Sequence, residues 1–132
     1  PRICKIARGK IPCTKVYENK DMLAFLDISP VNPGHTLLIP KRHYATLLDA
    51  NDALLAKLIK ATKKIASAVM KGIKAEGFNI GINNYKAADQ IIPHLHVHIM
   101  PRFMKDGKLW WRSGKYKEGE EIRIAEKIRK LL

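Results

Sequence analysis

The period of apolar and polar positions changes several times along the chain, and each change marks a predicted element. Ile3 and Ile6, three apart, predict a short helix over Arg2 to Arg8 that Gly9 ends. Val16-Tyr17-Glu18 and Met22 to Asp27 read as two strands joined by a polar Asn19-Lys20-Asp21 turn. A Pro- and Gly-rich loop, Ser29 to Gly34, leads into the buried-looking strand His35 to Ile39, which Pro40 closes. Leu54, Leu55, Leu58, Ile59, Thr62, Ile65, Ala66, Val69 and Ile73 then recur at helical spacing, with Asn51 suited to the N-cap and Gly77 to the stop. The lysines of that stretch, Lys57, Lys60, Lys63, Lys64, Lys71 and Lys74, fall largely on the other side, and no aromatics interleave them, so they read as a solvated face. Asn79 to Asn83 is a further strand, Asn84 to Pro93 a loop, and Pro93 to Pro101 a strand in which apolar residues alternate with histidines. Glu118 to Leu132 predicts a last helix, with Ile122, Ala125, Ile128 and Leu132 on one face and acids in its first turn. The pattern is mixed α and β, without internal repeat or low-complexity linker.

Composition narrows the picture to one domain over residues 1–132, because 132 residues with 46% hydrophobic content suffice for one core and are too few for two. Lys and Arg number 25 against 12 acids, a net charge of +13 that favours anionic partners such as nucleotides, polyphosphates, RNA or a membrane surface. Charge alone supports nucleic acid no further than that. Cys4 and Cys13 are too few for a disulfide scaffold and fit a reduced compartment. No apolar run approaches the roughly 20 residues of a membrane span, and the N-terminus lacks the core of a signal peptide. The expectation is a soluble cytoplasmic protein with no membrane partner.

Three of the five histidines, His94, His96 and His98, stand on alternate residues. On a strand, alternate side chains share a face at intervals of roughly 6.5–7 Å, so the three imidazoles would lie together while Leu95, Val97 and Ile99 face a core. Two chemistries suit such a row. His-x-His can supply two ligands to Zn²⁺, with Asp27 or His35 completing the site. Alternatively, one neutral imidazole attacks phosphorus while its neighbours donate hydrogen bonds to the phosphoryl oxygens. Spacing alone divides these evenly.

The segment His94-Leu95-His96-Val97-His98-Ile99-Met100 resembles the signature of the histidine triad (HIT) family. Leu23 to Pro30 and Gly34 to His43 resemble two further stretches of its Hint-like branch. The resemblance runs from about Ile3 to Arg102, and the tail from Phe103 resembles a C-terminal extension. It implies an α+β fold on an antiparallel sheet, with one long helix and a C-terminal helix, assembled as a homodimer through the long helix and a sheet edge. It also implies a purine nucleotide substrate cleaved at its α-phosphate, without a cofactor. By position, His96 would be the nucleophile that forms a nucleotidyl-histidine intermediate. His98 and Gln90 would contact the phosphate, with Asn83 helping to position it, and His94 and His35 would hold the catalytic imidazole and its hydrogen-bond chain. Asp27 would accept from the ribose hydroxyls, and Phe25, Ile28, Ile6 and Ile11 would line the base pocket. Plainer roles exist for these residues: Asp27 as a turn former, the apolar residues as core, Asn83 and Gln90 as loop caps.

The chain departs from the family loop at Tyr85 and Asp89, where glycine is usual, and at Ile91, where a hydroxyl residue is usual. Glycine lets backbone N–H groups approach a phosphate; a carboxylate at residue 89 would repel it, and Ile91 removes a donor. A structural zinc site of some members is matched by Cys4, His43 and His94, but Pro1 stands in place of a thiolate, so no metal is expected. Two functional classes follow: a hydrolase or transferase acting on nucleoside phosphoramidates or dinucleoside polyphosphates, or a weakly catalytic nucleotide-binding or RNA-associated regulatory module.

Overall fold

The computed structural model describes residues 5, 6, 9, 12–107, 116–120, 122 and 129. Five strands, β1 (Lys15–Glu18), β2 (Met22–Leu26), β3 (Thr36–Pro40), β4 (Gly77–Gly81) and β5 (Val97–Arg102), form one sheet in the order β1-β2-β3-β5-β4. Every pairing is antiparallel. A 22-residue helix, α1 (Asp52–Ile73), lies between β3 and β4 in sequence and packs against β4 and β5. This is the α+β architecture the sequence predicts. The C-terminal helix over Glu118 to Leu132 lies almost wholly outside the described residues, as does most of the short helix over Arg2 to Arg8.

Alternation along β2 and β3 divides the core in two. Met22, Ala24 and Leu38 face α1 and join Leu58, Ala61, Ile65, Ala66 and Val69 in one cluster, with Leu95, Val97 and Ile99 added from the histidine segment. Leu23, Phe25, Leu37 and Ile39 face the other way and form a second cluster with Ile6. Both faces of the central strands are therefore apolar, which explains their near-continuous hydrophobic runs. No described helix is long and apolar enough to cross a membrane.

Helix α1 begins as its sequence predicts, the Asn51 side chain accepting from the Leu54 N–H at 2.8 Å. It ends earlier than expected. Lys74 takes the left-handed conformation and its N–H returns to the Met70 carbonyl, while Gly77 opens β4 instead of stopping the helix. The β4–β5 ladder claims Gly77 to Gly81, so the predicted strand over Asn79 to Asn83 is displaced and Asn83 stands beyond it. The histidine strand is also shorter than predicted. It starts at Val97, because the Leu95 N–H is taken by the Tyr44 carbonyl and the His94 N–H by the Ile92 carbonyl.

Candidate active site

Three connections bring the chemistry together. The loop between β2 and β3 is closed by Asp27 N–H donating to the His35 carbonyl, which sets both residues at the same end of the sheet. The β3–β5 ladder pairs Leu37 with His98 and so carries that imidazole to His35. The β4–β5 ladder pairs Gly81 with His98 and ends there, leaving half-buried Asn83 two residues beyond it.

Backbone groups assign the tautomers. The Val31 N–H donates to His35 Nδ1 at 3.0 Å, so the His35 proton sits on Nε2. That Nε2–H donates to His98 Nδ1 at 3.0 Å, which places the His98 proton on its own Nε2. His96 Nδ1–H donates to the His94 carbonyl at 2.7 Å, leaving the Nε2 lone pair of His96 unprotonated on the far side of the ring. The His96 and His98 rings meet edge to face with centroids 5.0 Å apart. Burial drives the His98 pKa down to about 4, with the neighbouring His96 and His35 adding to the effect against Asp27. Burial likewise lowers His35, with Asp27 opposing. A neutral His98 at pH 7 is what the donor chain requires.

The expectation that three imidazoles share one face holds for His96 and His98 but fails for His94. The His94 ring turns away, its Nε2–H donating to the Pro40 carbonyl at 2.9 Å and its Nδ1 meeting His43 Nδ1 at 3.2 Å. What His94 gives the site is its backbone carbonyl, which the period of the sequence cannot reveal.

Beside the histidines opens a cleft of about 550 Å³ whose lining includes Ile6, Phe25, Asp27 and Ile28. Ile11 lies outside the described residues. Pro12, Cys13, Thr14, Leu37 and Ile92 also line it and were not foreseen. Leu37 follows from the Phe25–Leu37 pairing, and residues 12–14 enter because the approach to β1 runs along the cleft wall. Asp27 divides its carboxylate: Oδ1 accepts from the Ser29 N–H at 2.9 Å, as a turn former does, while Oδ2 lies 3.6 Å from His35 Nε2.

The loop after β4 differs from the expected phosphate cradle. The Gln90 side chain is buried and spent on the backbone, Oε1 accepting from the Tyr85 N–H at 2.7 Å and Nε2 donating to the Ala45 carbonyl at 2.6 Å. This is the loop-capping role. Ile91 is 88% exposed and Asp89 is exposed in the left-handed conformation, φ 65° and ψ 26°. Tyr85 sits at φ 69° and ψ 159°, a region that belongs almost entirely to glycine. Its ring is exposed, so little packing offsets the strain. Tyr85→Gly is expected to relieve about 1–3 kcal/mol of strain against up to about 1 kcal/mol of added unfolded-state entropy. The net gain of about 1 kcal/mol would appear as a urea midpoint shifted upward at constant slope.

Two groupings invite a metal. Asp27, His35 and His98 offer donor atoms within 4.8 Å of one another. The tautomers oppose an ion there: with Val31 N–H on His35 Nδ1, a metal at Nε2 would require an imidazolate or a broken backbone bond. His43 and His94 present facing nitrogens at 3.2 Å, close to the roughly 3.3 Å separating two ligands of tetrahedral zinc. Among the described residues the two supply half of the four ligands that a closed site takes. Cys4, which the resemblance adds to this pair, lies outside the described residues, and Pro1 brings no thiolate.

A five-stranded antiparallel sheet, one long helix and a histidine relay at the mouth of an apolar cleft define an α+β class of small histidine-site proteins. Residues 8–105 match the HIT domain, and the chain belongs to the HIT family. It is 45% identical over 106 residues to an uncharacterised HIT-like protein of Methanocaldococcus jannaschii, covering 80% of this chain and 81% of that one. It is 41% identical over 99 residues to the adenosine 5′-monophosphoramidase hnt1 of Schizosaccharomyces pombe, covering 75% and 71%. The adenylylsulfatase HINT3 of Arabidopsis thaliana is 42% identical over 103 residues, which are 78% of this chain and 52% of that protein. Among solved structures, a HIT family member from Bacillus subtilis superposes with a TM-score of 0.86 at 41% identity, covering 98% of this chain and 95% of that one.

Proposed function

We propose that this chain is a nucleotidyl hydrolase that cleaves at the α-phosphate of purine nucleoside phosphoramidates through a nucleotidyl-His96 intermediate, with dinucleoside polyphosphates as the second substrate class. The observation that carries the reading is the 2.7 Å bond from His96 Nδ1 to the His94 carbonyl, which aims an unprotonated Nε2 outward. In the first step Nε2 bonds to phosphorus as the bond from phosphorus to the amine breaks, and the amine leaves with a proton from solvent. In the second, water bonds to phosphorus, the P–N bond to His96 breaks, and the water's extra proton returns to solvent. His98 Nε2–H donates to a phosphoryl oxygen, a role that its tautomer and its low pKa support. Asp27 Oδ2 would take the ribose hydroxyls, and the apolar cleft the base. The relatives whose names describe adenylylsulfatase and adenosine monophosphoramidase activity favour P–N and P–O cleavage next to adenylate. No step passes through a metal, so prolonged chelation leaves turnover unchanged.

A weakly catalytic binding module is the second reading, favoured by the committed amide of Gln90 and by exposed Ile91. Steady-state assays with a fluorogenic adenosine phosphoramidate and with a dinucleoside polyphosphate separate the two. Turnover near 1 s⁻¹ or above is the enzyme's signature, on the order of an ordinary kcat. Stoichiometric nucleotide binding without turnover of either compound would leave the module.

A homodimer belongs to the same proposal. β4 is an edge strand, and beside it Ile59, Ala66, Met70, Phe78 and Ile80 line an apolar groove of about 500 Å³ running onto α1. Phe78 and Ile59 are 45% and 63% exposed, which suits burial against a second copy of the chain. Light scattering is expected to give twice the 15.0 kDa chain mass for the wild type and a single chain for Phe78→Asp. A monomeric wild type at micromolar concentration would remove the dimer.

A further inference from the structure

Where β3 ends, on the face of the sheet that carries α1, lies a second, chemically different surface. The nucleotide cleft draws on Ile6, Phe25 and Leu37 of one core cluster, whereas Met22, Ala61, Tyr17 and Tyr44 belong to the cluster on the α1 side of the sheet. There Lys20, Lys41, Arg42 and Lys57 line a cleft of about 530 Å³ together with Tyr44, Asn51 and Leu54. A second cleft of about 250 Å³ continues it along α1, sharing Asp21 and Lys57 and adding Lys60, Lys64, Tyr17 and Asn19. Six cations thus face one carboxylate along a continuous channel.

Two of the six are already paired, Lys41 with Glu18 at 2.7 Å and Lys57 with Asp21 at 3.3 Å. Lys20, Arg42, Lys60 and Lys64 make no ion pair among the described residues. The fold also supplies what the helix sequence lacks: Tyr17 and Tyr44 come from elsewhere in the chain to stand among the lysines, and the Lys64 ammonium lies 4.9 Å above the Tyr17 ring. Along α1, Lys57 to Lys64 spans about 10 Å, near the length of three nucleotides at 3.4 Å per stacked base. The channel is concave, and its walls mix cations with amides, tyrosines and the apolar Met22 and Leu54. Charge interleaved with aromatic and amide surface suits a chain of phosphates bearing bases better than a bare polyphosphate.

We propose that this channel is a binding site for single-stranded nucleic acid, separate from the nucleotide cleft and independent of the activity assigned to it. The strand's phosphates lie against Lys20 and Arg42 at one end and Lys60 and Lys64 at the other, and its bases face Tyr44 and the apolar wall.

The test is fluorescence anisotropy with a labelled 12-nucleotide mixed-sequence RNA in 50 mM salt, using the full chain. Four unpaired cations predict a slope of about −3 for log affinity against log salt, at about 0.7 per phosphate neutralised on a single strand. K20E/R42E and K60E/K64E should each weaken binding at least tenfold and flatten that slope by about 1.4. K105E/K117E, which makes the same charge change outside the channel, should stay within twofold, and Tyr44→Ala should weaken RNA without altering the slope. Circular dichroism melts establish that each variant is folded. The proposal fails if the control pair weakens binding as much as the channel pairs, or if duplex RNA binds as tightly as the strand. It fails equally if inorganic polyphosphate displaces the RNA phosphate for phosphate while Tyr44→Ala has no effect.

Discussion

Replacing His96 by alanine is expected to lower phosphoramidate turnover by about 10⁴-fold or more while leaving AMP binding within a few-fold of wild type. The variant loses the attacking atom itself, whereas the cleft that would hold the base draws on Ile6, Phe25, Leu37 and Ile92, none of which touches the chemistry. His96 is buried and its Nδ1–H satisfies the His94 carbonyl, so the deletion also strands a backbone acceptor at a cost of about 1–3 kcal/mol. That cost shifts the melting curve and must be read apart from the rate. Titration calorimetry with AMP and a melt in the same buffer make the separation. A purified variant that retains more than about a tenth of wild-type kcat would mean that another group attacks phosphorus.

Helix α1 was legible almost to the residue at its start, because an amphipathic period and an Asn N-cap are local signals. Its end was not, because Lys74 accepts a left-handed conformation that the sequence assigned to a glycine. The competing demand is tertiary: five pairings between β4 and β5 take Gly77 to Gly81 into the sheet. The histidine segment shows the same limit. Leu95, Val97 and Ile99 are buried as the pattern requires, but His94 and His96 between them are buried as well, and the Leu95 N–H bonds to Tyr44 rather than joining the ladder. The period identified the apolar side chains of the core but not the burial of the histidines between them, and long-range backbone partners decided where the strand begins.

The candidate site divides similarly. His96 meets His98, His98 meets His35, His35 lies beside Asp27, and Asp27 shares the cleft with Phe25, Ile28 and Ile6. The Gln90 amide turns out to brace its own loop against Ala45, a partner 45 residues away that no local signal names. Cys13 and Thr14 border the cleft only because the segment leading to β1 runs along its wall, and spacing within the segment is silent on that. The departures at residues 85 and 89 were legible as chemistry, but their cost was not. Asp89 tolerates its left-handed turn, whereas Tyr85 carries the greater strain in a conformation that β-carbons resist.

Mild acid is expected to destabilise the fold before its carboxylates titrate. The unfolded chain binds a proton on His98 near pH 6.5, whereas burial beside His96 and His35 lowers the folded value to about 4. Between those values the unfolded state carries more protons, so the free energy of unfolding rises with pH across the window and falls as pH drops through it. His98 thus contributes stability that is complete above about pH 6.5 and exhausted below about pH 4. His35 and His94, also lowered by burial, act with the same sign. From pH 7 to pH 4.5, His98 alone accounts for about 1.5 kcal/mol once its partial exposure is discounted from the full shift. Urea unfolding at pH 7.0, 5.5 and 4.5 measures the loss directly. His98→Asn keeps a nitrogen and an oxygen near His35 without a titrating ring, and should flatten the decline by that amount even though its stability at pH 7 is lower. Parallel curves for the two proteins across the whole window would show that His98 titrates alike in folded and unfolded chains. The neutral relay from Val31 through His35 to His98 would then no longer explain the donor that faces the phosphate.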